Sequence, residues 1–323
     1  MNDEVHRFQL EAQAVRGRLV RLGPLVSSVI ERHDYPEPVA ALLSEMVTLA
    51  IVLASGLKYE GVFTLQTNSK GPVRLIVADV TSAGEVRGYA QFDAARVDAV
   101  VAAAGSAASV PRLLGPGYLA FTVDQGPRTQ RYQGIVELTG ATLVDCVQHY
   151  FRQSEQLETG IRMAVSRAGE GTPGWRAGAI MLQRMPASGV EPAVRDGEED
   201  SAAGGPDESA DDDWRRALML LATASNAELL DPALEPNDLL YRLFHEEGVR
   251  VFRPRSLRPG CRCSRERVER VLRSLTADEL SSLEEEDGAI VATCEFCNTR
   301  YRFTREDVAW LTAGRGAAGP RPQ

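Results

Sequence analysis

Four cysteines near the end of the sequence carry its clearest chemistry. Cys261-Arg262-Cys263 and Cys294-Glu295-Phe296-Cys297 are two close thiol pairs separated by 30 residues. Such an arrangement can bring four sulfurs around one ion. Four thiolates suit the tetrahedral, borderline-soft preference of zinc, and a site with four protein ligands is closed, hence structural and not catalytic. The spacing therefore predicts Zn2+ held by Cys261, Cys263, Cys294 and Cys297. The competing reading is a Cys-x-x-Cys redox motif beside two unrelated thiols, but that motif sits at a helix start after a strand in a βαβ unit. Nothing around Cys294 has that context.

The residues between the two pairs have the form needed to position them. Ser264 can N-cap a helix carrying Val268, Val271, Leu272 and Leu275. Thr276 with Glu279 makes a capping box for a second short helix. Ile290 and Ala292, then Tyr301 and Phe303, alternate as two strands flanking the Cys294–Cys297 knuckle. The sequence thus sets out a zinc-binding domain over 253–312 and a disordered tail over 313–323. Arg262, Arg265 and Arg300 could offset the excess charge of four thiolates, although solvated surface charge is the preferred reading.

The other titratable residues show no comparable pattern. Cys146 lies on the apolar face of a helix, where a free cysteine is a small buried hydrophobe. The four histidines, at 6, 33, 149 and 245, have no metal-like spacing. GxGxxG, P-loop, GxSxG and HExxH patterns are absent, which counts against an enzyme. The net charge of −9 sits in one stretch: Asp196–Asp213 holds nine acids and no Lys or Arg. The rest is formally neutral, so nucleic acid is a poor partner. Residues 1–8 are polar, with no secretory h-region, and the longest apolar stretch, Val47–Ala54, is far short of the ~20 residues that span a bilayer. A cytoplasmic protein with no membrane partner is expected.

The 323-residue chain has room for one sizeable core and a smaller module. Prolines 36 and 38 open an amphipathic helix over 32–56, carrying Val39, Leu42, Leu43, Met46, Val47 and Ala50. Strand-like runs follow at Gly61–Thr67, Pro72–Val80 and Glu85–Phe92, punctuated by turn residues as in an antiparallel meander. Further runs are Tyr118–Asp124, Tyr132–Leu138, Gly160–Val165 and Ala179–Arg184, with a second amphipathic helix through Leu143, Cys146, Val147, Tyr150 and Phe151. Residues 1–186 read as one α+β domain with an antiparallel sheet and packed helices. Residues 187–213 read as an acidic disordered linker. Residues 214–252 read as a helical region able to cover another surface but not to form its own core.

These residues resemble the bacterial redox-regulated heat-shock chaperones of thirty-three kilodaltons. The cysteine spacing is similar to that family's zinc site, and Leu243-Phe244-His245-Glu246-Glu247, Cys263-Ser264-Arg265-Glu266-Arg267-Val268 and Cys294-Glu295-Phe296-Cys297-Asn298 resemble its C-terminal half. Tyr150-Phe151 with Ser154-Glu155-Gln156, Gly71-Pro72-Val73-Arg74-Leu75 and Val86-Arg87-Gly88-Tyr89-Ala90 resemble its N-terminal half. The acidic stretch is longer than the family's usual junction, and Gly178-Ala179 stands where the family often shows two glycines. The resemblance implies an ATP-independent holdase, quiet while zinc-bound and reduced. On oxidation it would form the disulfides Cys261–Cys263 and Cys294–Cys297, release zinc, unfold in part and hold unfolding client proteins, as a homodimer when active. Two such small loops constrain a chain weakly: about 2 kcal/mol each, against nearly 4 kcal/mol for a bond across the long gap. Local disulfides cannot replace the metal. A zinc-dependent nucleic-acid binder and a thiol oxidoreductase are the competing classes, the first opposed by charge and the second by a closed site.

Overall fold

The computed structural model describes residues 2–11, 14–104, 110–126, 129, 131–167, 174–185 and 206–313. The chain forms two compact units, Met1–Pro259 and Gly260–Gln323.

The first unit is built on a helix that is apolar nearly all round. Helix α2 (Glu37–Ala54) follows α1 (Pro24–Ile30), starts at a proline pair and buries fourteen of its side chains. A helix without a polar face must be covered on both sides, and two antiparallel sheets do this. One has the order β10-β1-β2-β9-β8, made from β1 (Glu4–Leu10), β2 (Val15–Leu22), β8 (Thr159–Arg167), β9 (Trp175–Arg184) and β10 (Val249–Val251). The other runs β12-β5-β4-β3-β6-β7, from β3 (Val62–Ser69), β4 (Val73–Thr81), β5 (Glu85–Phe92), β6 (Gly117–Asp124), β7 (Tyr132–Glu137) and the short parallel β12 (Arg258–Pro259). Helices α3 (Ala94–Ala104), α4 (Val110–Leu114) and α5 (Leu143–Tyr150) lie in the β5–β6 and β7–β8 connections. The buried hydroxyls of Ser44 and Thr48 donate one turn back, to the carbonyls of Ala40 and Ser44, at 2.8 and 2.7 Å. Because hydroxyls satisfied in this way do not interrupt an apolar helix, α2 is long and apolar enough to cross a membrane, more than the short Val47–Ala54 run suggests. Most of it is buried inside the fold.

One carboxyl on α2 gives this core a pH dependence. Burial pushes Glu45 up from 4.5 to about 7. The folded state therefore favours the protonated form, so stability falls as pH rises from 4.5 to about 7 and stays reduced above that, by at most about 3 kcal/mol. Glu45→Gln should raise the melting temperature at pH 8 and leave it little changed at pH 4. Parallel melts across pH check this.

The first sheet is buried on both faces. Along β9, Ala177, Ala179 and Met181 face the α2 core, while Ile180 and Leu182 face a second core. That second core is closed by α6 (Pro206–Ala222), α7 (Asn226–Leu230) and α8 (Pro236–Phe244), through Trp214, Leu221, Leu239, Leu240 and Phe244. These helices cover the sheet, as the sequence suggested, but their bounds differ. Helix α6 begins at Pro206, so Pro206–Asp213 is helical, and Asp211 pairs with Arg184 of β9 at 2.7 Å. Residues 187–205 of the expected linker, and 314–323 of the expected tail, lie outside the described residues. The strands β11 (Arg255–Ser256) and β12 pair with β1 and β5, so 253–259 belongs with the first unit and the second begins at Gly260, not near 253. Strands β1 and β2 lacked a legible pattern because β2 carries Arg18 and Arg21, only 7% and 4% exposed, at inward positions. Arg21 donates through both terminal nitrogens to the carbonyls of Asp231 and Leu234, which gives this buried guanidinium partners within the fold. Further along the same strand pair, Phe8 of β1 pairs with Gly17 of β2, where a Cβ would sit 2.0 Å from the Phe8 ring. Only glycine fits there.

In the second unit, α9 (Arg265–Ser274) and α10 (Ala277–Ser282) precede the hairpin β13 (Ile290–Thr293) and β14 (Arg300–Phe303), and α11 (Arg305–Ala313) closes it. The core is small: Leu272, Leu280, Ile290, Phe303, Val308 and Leu311 are its buried members.

Candidate metal centre

Both cysteine pairs are set by local hydrogen bonds. Cys261 and Cys263 lie just ahead of α9, whose first turn is fixed by Ser264 Oγ accepting from the Arg267 amide. The Arg267 guanidinium then donates back to the Arg262 carbonyl at 2.6 Å, holding the bend between the two thiols. Cys294 and Cys297 occupy the tip of the β13–β14 hairpin. There the Cys294 amide donates to Thr299 O at 2.9 Å, and the Asn298 amide to Cys294 O at 2.8 Å. Asn298 takes the left-handed conformation, φ 57°, which asparagine tolerates better than most residues.

This brings the four sulfurs together. All four Sγ atoms lie within 4.8 Å of one another, with Cys261–Cys294 at 3.7 Å and Cys263–Cys297 at 3.3 Å. Zinc–sulfur bonds of about 2.3 Å in a tetrahedron put the sulfurs about 3.8 Å apart. A disulfide needs about 2.05 Å, so these are free thiols spaced as a ligand set. Cys146 is elsewhere, fully buried on α5, with burial pushing its thiol up. None of the four histidines joins the cluster.

The electrostatics of the cluster suit a cation. Burial pushes Cys263 up to about 12 and raises Cys294, each with further thiols against it. Burial also opposes ionisation of Cys297, but Thr299, through its hydroxyl at 3.2 Å and its amide, together with the neighbouring thiols, holds it down at about 6. Burial and mutual repulsion thus oppose charge on Cys263 and Cys294, while Thr299 favours it on Cys297. Ionising all four requires a compensating cation. The amides of Phe296 and Cys297 donate to Cys294 Sγ, and the Tyr301 hydroxyl donates to Cys263 Sγ at 3.1 Å. Sequence reading placed Tyr301 in a strand and gave Thr299 no role. The available signal was their offset: second and fourth after Cys297, just before and just inside β14.

Of the three arginines considered, Arg300 is exposed, as expected for surface charge. Arg265 differs, because it is used structurally. It donates to Arg302 O at 2.7 Å and Asp307 at 2.8 Å and lies over the Phe303 ring at 4.3 Å, tying α9 to β14 and α11.

Comparison with known proteins places this chain in a defined group. The family model described as Hsp33 protein matches residues 3–304. The 33 kDa chaperonin of Caulobacter vibrioides is 41% identical over 305 residues, covering 94% of this chain and 95% of its own. Those of Pseudomonas paraeruginosa and Azotobacter vinelandii are 40% and 39% identical, covering 99% and 98% of this chain and 97% of their own. Among solved structures, the 33 kDa chaperonin (heat shock protein 33 homolog) from Thermotoga maritima superposes with a TM-score of 0.76. It is 22% identical and covers 98% of this chain and 99% of its own. At that identity the likeness concerns the fold.

Proposed function

This chain belongs to the Hsp33 family of heat-shock chaperones, and we propose that it works as a redox-regulated, ATP-independent holdase in the cytoplasm. The observation that carries this reading is the set of four sulfurs within 4.8 Å of one another in a unit with a small core. Zinc, when bound, would hold the four sulfurs as thiolates and tie the two ends of the module together. Cys261 and Cys263 hold one end, Cys294 and Cys297 the other. The amides of Phe296, Cys297 and Thr299 and the Tyr301 hydroxyl orient and stabilise the sulfur charge.

Oxidation acts on the ligands themselves. Each pair of thiolates loses two electrons and forms one disulfide, Cys261–Cys263 or Cys294–Cys297, while one hydrogen peroxide takes up those electrons and two protons from solvent and leaves as two waters. Disulfide sulfurs have given up the charge that binds the metal, so the module loses its main stabiliser and unfolds in part. The chain then binds unfolding clients as a homodimer and prevents their aggregation. The test follows zinc release and suppression of thermal aggregation of an unrelated protein together during peroxide titration. Two peroxides per zinc, with both signals moving in step, are expected. Equal holding by the reduced, metal-loaded protein refutes the switch.

The metal shell gives a second measurement. Tyr301→Phe keeps all four sulfurs but removes the donor to Cys263. Metal content should remain at one per chain, while zinc affinity in chelator competition should fall about tenfold, the lower end for such supporting residues. Serine at any of the four ligand cysteines should lower metal content sharply, and Cys146→Ser should leave it unchanged.

A further inference from the structure

The N-terminal unit contains a cavity that the proposed switch does not use. Its volume is about 510 Å³, and it lies between the end of α2, strands β3, β6 and β7, and the π-helical turn Phe151–Glu155 that follows α5. Phe63, Phe121, Val123 and Phe151 give it apolar walls. Leu57 and Tyr132, 47% and 52% exposed, also line it, so it reaches solvent there.

Arg18 of β2 enters this apolar space. Arg18 is 7% exposed, and among the described residues its guanidinium meets only neutral acceptors, Gln183 Oε1 at 3.4 Å and Met181 Sδ at 3.7 Å. Among the described residues it forms no ion pair, and the charges acting on it, Arg16 and Arg7, have its own sign. Burial and these neighbours push it down to about 10. Room for the head is built in, since a Cβ at Gly56 would lie 2.5 Å from Arg18 Nη2. The lining carboxylate, Glu155, is already engaged through Oε1 by the hydroxyls of Tyr132 and Tyr150. A buried guanidinium without a counter-charge is costly, and a carboxylate is its best partner. Apolar cavities of about 300–1,000 Å³ with a few polar groups are the usual form of a small-molecule site.

We propose that this cavity binds a small organic carboxylate with an apolar body, the carboxylate pairing with Arg18 and the body filling the aromatic walls. Decanoate is the probe, with decanol supplying the same body without charge and acetate the charge without the body. Calorimetry on the reduced, metal-loaded full-length protein should show saturable one-to-one binding of decanoate, about tenfold tighter than decanol, and none of acetate. Arg18→Met should bring decanoate to within about twofold of decanol, a loss of discrimination that a purely structural arginine would not produce. Should that variant not fold, Leu57→Asp places a like charge at an exposed edge and should weaken decanoate more than decanol. Equal binding of decanoate and decanol by the unaltered protein, discrimination that survives Arg18→Met, or equal weakening of both by Leu57→Asp overturns the assignment. So does tighter binding of an apolar tripeptide carboxylate than of decanoate, which would identify a peptide-end site instead.

Discussion

Peroxide treatment of the metal-loaded protein should unfold the chain from Gly260 onward and leave Met1–Pro259 folded. The two units differ in what holds them. The first buries two extended apolar clusters, around α2 and under α6–α8. The second has a cluster of only six buried apolar side chains among the described residues, and burial of one such residue contributes about 1.5–3 kcal/mol against an ordering entropy of about 1–2 kcal/mol for every residue fixed. Structural zinc contributes about 10–16 kcal/mol in small domains, so its loss exceeds the unit's own stability. Limited proteolysis should show cuts within 260–313 rising at least about tenfold while a fragment ending near Pro259 resists. A chelator under reducing conditions should give the same pattern without disulfides, and zinc with reductant should restore protection. Continued protection of α9 and β13–β14 after metal release would show that their apolar core suffices alone. Trp214, at the start of the helical region read over 214–252, is 6% exposed within the first unit, so the layer it opens should stay folded with that unit.

Phe244→Ala should loosen α6–α8 from the sheet and give holdase activity to the reduced protein. Phe244 is fully buried and stacks on Phe8 at 5.6 Å, and Phe8 in turn lies against Gly17. Truncation therefore removes the last ring of a three-residue stack and leaves a cavity, at a cost of about 3–5 kcal/mol. The cost falls on the layer that hides Leu10, Leu19, Ile180 and Leu182. Uncovering those residues creates an apolar patch of the kind that captures unfolding chains. Hydrogen exchange should quicken in α6–α8 while α2 stays protected, and aggregation assays should show protection without peroxide. Faster exchange with no gain in holding would mean that this face is not where clients bind.

Sequence legibility followed local chemistry. The capping residues Ser264 and Thr276, the meander β3–β5 and the close approach of the four cysteines rest on short-range patterns, and they emerged at or within two residues of their expected places. Features settled at long range did not. Strand β2 hides two arginines whose partners are over 150 residues away. Helix α6 begins in an acidic run whose Asp211 is compensated by Arg184 of β9. The 253–259 stretch reads as a domain start, and only its pairing with β1 and β5 assigns it to the first unit.

The pairing of β1 also bears on synthesis. Its outer edge is completed by β10, with Phe8 opposite Val251. At roughly 5–20 residues per second, the ribosome delivers that partner about 12–50 s after β1 has been made. Throughout that interval the nascent chain presents an open strand edge and, beneath it, the Phe8 ring that α8 has yet to cover. Exposed edges of this kind recruit other strands. A protein of a chaperone family therefore passes through a stage in which it is itself a candidate client, and its growing chain should be sensitive to whichever holding factors attend the ribosome.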